Sequence, residues 1–398
     1  MNVFVLTLKP ILMLCKIVGI IKTSYYFESN GLLVKNTNSR YHSLFEFSKT
    51  VVLLLVTYYS HRQFDLLDTL ILYTFWIVII TSRISETWII KLINGIIKFD
   101  QKLTSLPTHL QAHQRQLNKQ YWNRIFTCAT LYYIALTLLY VYLWPVKILD
   151  FTIVIMFFVR IGFIVEFTVI VSSHFYLQNL EYRFELLNDF WKCLPAGLLD
   201  VPGECSLHDI AMMVDNIRLL HAELSDILRI FSMGYGQMLL GYFVFSYINT
   251  LVCLFYTICF KFSISEENNP MMEKILKESV QFIYYLQNII FTMSIVTAAL
   301  RVNDKKRQII SYLRLTKISN VSTALKTQIK MFMNQVSVFE SDEMTAYGFF
   351  SINLNLVMSI IILIISGIAT LIQMKEHPYI MQAINATKNF YQQSNISV

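Results

Sequence analysis

Charge is what this chain has least of. Asp, Glu, Lys and Arg make up 15% of its 398 residues, where soluble domains carry about a quarter. A soluble fold of this length would have to bury several separate apolar runs of about 20 residues or more, which an ordinary core does not accommodate. Catalytic signatures are missing as well. There is no His-Glu-x-x-His zinc motif, no glycine-rich phosphate loop and no Gly-x-Ser-x-Gly elbow; of the eight histidines only His109 and His113 stand four residues apart, without the glutamate between them. No enzyme is expected, and no cofactor. The six cysteines, Cys15, Cys128, Cys193, Cys205, Cys253 and Cys259, follow no metal spacing, so no metal is expected and they read as small buried hydrophobes. The formal net charge is +7, but the basic residues are scattered through connections, which fits membrane topology and not nucleic acid. A cleavable signal core is lacking too. The opening MNVFVLTLKPILMLCKIVGII is interrupted by Lys9, Pro10 and Lys16 and reads as an interfacial amphipathic helix.

Hydrophobic residues, by contrast, make up 55% of the chain. Seven runs near the ~20 residues of a helical crossing fall at 44–60, 68–90, 124–146, 151–173, 230–260, 279–300 and 346–373. The expected fold is an all-α membrane protein with seven transmembrane helices. Its organisation reads as a cytosolic N-terminal segment (1–43), spans one to four (44–173), a cytosolic helical extension (174–229), spans five and six (230–300), a second cytosolic helical segment (301–345), a last span (346–374) and an outer tail (375–398). With the N-terminus inside, 23 of the 33 Lys and Arg residues fall on the inner side and seven on the outer, so the positive-inside rule puts the N-terminus in the cytosol. Sequons at Asn385-Ala-Thr387 and Asn395-Ile-Ser397 agree with an outer tail. A seven-helix G-protein-coupled receptor has the opposite orientation, and its Asp-Arg-Tyr and Asn-Pro-x-x-Tyr marks are absent. The inner stretches carry helical periodicity, as in Leu177, Leu180, Phe184 and Leu187, or Ile310, Leu313 and Ile318. They are expected to continue the spans as a cytosolic bundle. Residues 193–203, with Pro195, Pro202 and two glycines, read as the one clear loop.

Two groups of residues invite a functional reading. The last apolar run, AYGFFSINLNLVMSIIILIISGIATLIQ, has no charge yet carries Ser351, Asn353, Asn355, Ser359, Ser366, Thr370 and Gln373. Such groups need a protein neighbour or a watery cavity in hydrocarbon, so the helix either packs in a bundle or lines a pore. The outer halves of the middle spans form the second group. Gln281, Tyr284, Tyr285 and Asn288 share one helix face by spacing. Tyr242, Ser246, Asn249, Cys253 and Tyr256 make a second polar stripe, and Tyr140, Tyr142 and Trp144 close the third span. An aromatic and amide cavity of this kind suits a small organic ligand, although Tyr142 and Trp144 also fit an interfacial belt. Arg160 and Glu166 are intramembrane charges on the fourth span. They stand about 240° apart around the helix and each requires a separate partner, functional or structural.

TAYGFFSINLNLVMSI (345–360), with Gln373 at the end of the span, resembles the signature of insect gustatory receptors. Ala346, Gly348, Phe349, Phe350 and Gln373 match its Ala-x-Gly-Phe-Phe opening and closing Gln, and LKPILMLCKIVGI resembles the family's N-terminal opening. Ser366-Gly367 stands where the pattern has Thr-Tyr, and Met374 where it has Phe. The resemblance implies four subunits, as a homotetramer or a heteromer with related receptors. It also implies a central cation pore lined by the seventh helix, with Ser366, Thr370, Gln373 and Met374 along the pore and at its gate. Permeating cations, membrane lipid and a small tastant are the implied partners. The sensory-neuron plasma membrane is the implied location. The ligand site would draw on Gln281, Tyr284, Tyr285, Asn288, Asn249, Tyr256, Arg160 and Tyr140. Sugar-detecting members usually carry an acidic residue where this chain has Ile368, so a non-sugar, bitter-type tastant is expected. The alternatives are a seven-helix chemoreceptor that signals through a cytosolic partner, and an odorant receptor of the same superfamily.

Overall fold

The computed structural model of the chain describes residues 3–18, 20–21, 24–36, 66–104, 119–143, 151–200, 207–261, 271–315, 323–340, 344–373 and 377–378, with part of 44–58. The helices are α1 (Val3–Val18), α2 (Leu66–Thr104), α3 (Lys119–Leu143), α4 (Phe151–Asp200), α5 (Leu207–Ile230), α6 (Gly236–Lys261), α7 (Met271–Leu315), α8 (Thr323–Glu340) and α9 (Leu354–Gln373). The described residues of 44–58 are helical as well. Helices α2, α4 and α7 contain 39, 50 and 45 residues. At 1.5 Å per residue they extend about 60–75 Å, twice the ~30 Å hydrocarbon layer. The apolar runs therefore continue as helices well beyond a bilayer, as the periodicity of 174–229 and 301–345 implies. Among the described residues, α9 is the one helix that is both long and apolar enough throughout to cross a membrane.

The ends of α4 and α7 expected to be cytosolic pack with α5 and α8 into a hydrophobic core. Leu177, Leu180, Phe184 and Leu187 of α4 are fully buried, as is Leu313 of α7, while Ile310 is half-buried. Ile318 lies outside the described residues. The rings of Phe184 and Phe332 flank His221 at 5.8 and 5.6 Å, which ties α4 and α8 to α5. Burial, then the Lys306 ammonium, push the His221 imidazole down to about 4. Arg183 forks onto Asp100, donating from Nε at 2.8 Å and Nη2 at 2.7 Å.

Helix α1 differs from the interfacial helix expected. Phe4, Leu8, Ile11 and Cys15 are buried while Lys9, Met13 and Lys16 are exposed. Phe4 stacks on Phe175 of α4 at 5.7 Å. The apolar face is real, but its partner is protein and not lipid. The hairpin β1 (Ser24–Phe27) and β2 (Leu33–Asn36) then lies along α2. There the Asn94 amide accepts from Leu33 N–H at 2.8 Å and donates to Leu33 O at 3.0 Å. The N-terminal segment therefore sits beside Phe175 and Arg183 of α4 and Asn94 of α2.

Three further expectations change. Residues 193–200 continue α4 to Asp200, Pro195 included, so the loop expected at 193–203 starts no earlier than residue 201. Cys128 is exposed, although Cys15 is buried as expected. The last span also starts later than its apolar run. Residues 345–351 form a small antiparallel hairpin, β3 (Thr345–Ala346) and β4 (Phe350–Ser351). Its turn holds Tyr347 and Gly348 at φ of 55° and 78°, a left-handed conformation that a helix excludes. Asn353 then opens α9 by accepting from Leu356 N–H at 3.3 Å.

Candidate functional site

The hairpin fixes where α9 begins. Between α5 and α6 lies one π-helical turn, Phe231–Tyr235, closed by Gly236 N–H onto Phe231 O. A π turn widens the helix and offers a carbonyl to an outside donor. Ser232 O accepts from Tyr347 N–H at 3.2 Å, and Ser232 Oγ accepts from Thr345 N–H at 3.3 Å. Gly236 lets the two backbones meet, since a Cβ there would stand 2.6 Å from Tyr347 N.

From this foot α9 runs along α6. Val357 is buried and Leu356, Ile360, Ile364, Gly367, Ile368 and Leu371 are half-buried, so they form the face against its own subunit. Gly367 stands closest: a Cβ there would meet Leu251 Cδ1 at 2.9 Å and the Tyr247 hydroxyl at 3.1 Å. Tyr247 donates to Leu363 O at 3.3 Å. The glycine that replaces the tyrosine of the family pattern thus seats α9 on α6.

Asn355, Ser359, Ser366, Thr370 and Gln373 are all exposed. At about 100° per residue they fall within about 60° of arc, and the packed face is centred about 140° away. The polar residues scattered through the apolar run therefore form one stripe along α9, turned away from the subunit. Ser366 and Thr370 donate back to Leu363 O and Ser366 O at 3.1 and 2.9 Å. Their hydroxyls are satisfied within the helix, a relief that the sequence did not reveal. Met374 lies outside the described residues.

Some of the residues expected to line an outer cavity are described. Asn288 of α7 is 2% exposed and donates to Thr250 Oγ1 of α6 at 3.2 Å. Asn249, Tyr242 and Ser246 are buried on α6, as is Thr292 one turn inward of Asn288. Tyr132 of α3 donates to Gln287 Oε1 at 3.0 Å. Helix α7 is thus joined to α6 through Asn288 and to α3 through Gln287. Thr250, Gln287 and Tyr132 join without having been singled out, because a lone Thr, Gln or Tyr in an apolar span carries little signal. The side chains of Gln281, Tyr284, Tyr285, Tyr256, Arg160, Tyr140, Cys253 and Trp144 lie outside the described ones. Tyr142 is 76% exposed, in keeping with a belt position.

The sequence matches the 7tm Chemosensory receptor family over residues 8–377. This chain belongs to that family. No curated protein matches it. Among solved structures it is similar to the insect olfactory receptor OR5 from Machilis hrabei, at 11% identity and a TM-score of 0.54. The likeness covers 92% of this chain and 97% of that one, and it establishes the fold. The resemblance to insect gustatory receptors therefore holds at the level of the chemosensory receptor superfamily.

Proposed function

We propose that this chemosensory receptor is a subunit of a ligand-gated, non-selective cation channel of the gustatory type. It assembles as a homotetramer, or as a mixed tetramer with related receptors, in the plasma membrane of a sensory neuron. The polar stripe of α9 carries this conclusion. A membrane-length helix that seats one side on its own subunit and turns Asn355, Ser359, Ser366, Thr370 and Gln373 outward is stabilised when several copies gather those stripes around water. Neutral amides and hydroxyls hydrate a passing cation without holding it, as conduction requires. Gln373 and Met374 form the gate. The distribution of basic residues supports a cytosolic N-terminus and an outer tail, and the ligand is a small non-sugar tastant taken up between α3, α6 and α7.

Recording from cells that express the chain alone tests this. A tastant-evoked current that survives in excised patches supports the channel. A current lost when cytosolic factors are removed points to signalling through a cytosolic partner. A robust response to simple sugars alone overturns the ligand class, and surface labelling of an N-terminal epitope tag overturns the topology.

A further inference from the structure

Some of the buried polar atoms without hydrogen-bond partners lie on the middle spans. Among them are Asn288 Oδ1, the Tyr242 hydroxyl and both carboxylate oxygens of Glu166. The three residues come from α7, α6 and α4, and none is more than 2% exposed. The Tyr242 hydroxyl stands beside Thr292 and Ser246, outside hydrogen-bond geometry, and within electrostatic reach of the Glu166 carboxylate. Folded interiors rarely leave such groups alone, and a cluster of them marks a missing water, ion or ligand. An intramembrane carboxylate without a partner is the costliest member of the set.

The chemistry of the occupant follows from that of the atoms. A carboxylate and an amide oxygen only accept, so the occupant donates, and opposite Glu166 it is cationic. The acceptors come from three different helices, α4, α6 and α7. Asn288 and Thr292 alone are separated by one helical turn, about 6 Å, whereas a bare metal ion gathers its oxygens into a single shell. Tyr242 adds an aromatic side chain whose hydroxyl lies within electrostatic reach of the Glu166 carboxylate, and aromatic company favours an organic ammonium over a bare ion. We propose that Glu166 receives the protonated amine of an organic ligand whose second donor meets Asn288 about one turn further out. This rests on the outer cavity being the ligand site, and adds the chemical class of the ligand.

Binding is measured on the full-length protein in lipid nanodiscs by ligand-induced thermal shift. Primary amines are paired with alcohols of the same skeleton, such as 2-phenylethylamine with 2-phenylethanol. A charge-assisted hydrogen bond is worth about 1.5–3 kcal/mol, so at least one amine is expected to bind roughly tenfold or more tighter than its alcohol. Glu166→Gln should abolish that preference, and Glu166→Asp should keep part of it. The proposal fails if no amine is preferred over its alcohol by the wild type, or if Glu166→Gln binds amines as the wild type does. It fails equally if, without amine, sodium in place of N-methyl-D-glucamine stabilises the wild type alone, since the occupant is then a bare alkali ion. The wild-type comparisons stand even where a variant does not fold. Because binding is read without conduction, a protein that binds amines but passes no current upholds this site and refutes the channel.

Discussion

Gly236→Ala is the substitution whose outcome the geometry constrains most tightly. The new Cβ would stand 2.6 Å from Tyr347 N, 3.0 Å from Thr345 O and 3.2 Å from Ala346 Cα. All three are backbone atoms, so no side-chain rotation relieves the overlap and the β3–β4 hairpin has to move. Displacement weakens the two hydrogen bonds onto Ser232, each worth about 0.5–1.5 kcal/mol. It also disturbs Met344, Ala346 and Ile352, which are buried around them, and overpacking of this kind costs about 1–3 kcal/mol. Together the loss is about 2–6 kcal/mol, beyond the ~1 kcal/mol by which alanine favours a helix over glycine. Gly367→Ala is the control, because its nearest contacts are the Leu251 methyls and the Tyr247 hydroxyl, side-chain ends that rotate away. The assay is size-exclusion chromatography of detergent-solubilised receptor after a heating series. Gly236→Ala should lower the apparent Tm by more than about 4 °C, with Gly367→Ala close to wild type. Equal midpoints for Gly236→Ala and wild type, or a larger loss at Gly367, would refute the role given to the hairpin contact.

Arg183→Leu leaves the largely buried Asp100 without its fork and should cost about 3–5 kcal/mol. The double variant with Asp100→Leu should lose clearly less than the sum of the single losses, which a thermal double-mutant cycle reads. His221 is held neutral in the fold, with its pKa lowered from 6.5 to about 4. Between those values the unfolded chain binds the extra proton, so this contribution is complete above about pH 6.5 and is lost as pH falls toward 4, by up to about 1.4 kcal/mol per pH unit. His221→Phe should flatten the acid limb of a pH–Tm profile. At the proposed pore, Gln373→Glu should alter divalent permeation or block by placing a carboxylate from each copy at the proposed constriction, and unchanged reversal potentials would count against it. Met374→Ala should raise basal current by removing a flexible apolar plug, whereas Leu371→Ala, on the face toward α6, should change surface expression more than conduction.

Much of the helical architecture was legible because it is written in local pattern. The Leu177, Leu180, Phe184 and Leu187 periodicity identified a buried face, and all four side chains are fully buried. The amphipathic character of α1 was equally legible, but lipid and the apolar flank of another helix select the same residues, so the sequence left its partner open. The start of α9 was misplaced for a different reason. Hydropathy records the absence of charge and not backbone direction, and the left-handed Tyr347 and Gly348 are stabilised by contacts with Ser232 that are distant in sequence. Asn288 and Asn249 were singled out from their spacing and are buried, whereas for Glu166 the sequence left a functional and a structural partner both open, and its carboxylate is buried without one.

By itself the sequence determined that this is a helical membrane protein, where its apolar runs lie, and, through the residues around Ala346–Phe350 and Gln373, which receptor superfamily it joins. These properties depend on composition and short-range periodicity, which need no folded context. Only the tertiary structure decided that the N-terminal helix packs on α4, that a π turn and a hairpin hold the foot of α9, and that the polar residues of α9 face away from their own subunit. It alone also brought Glu166, Tyr242 and Asn288 together from three helices. Such facts depend on which faces meet, and that is set by close packing between segments more than a hundred residues apart, as where Gly236 admits the backbone of Tyr347.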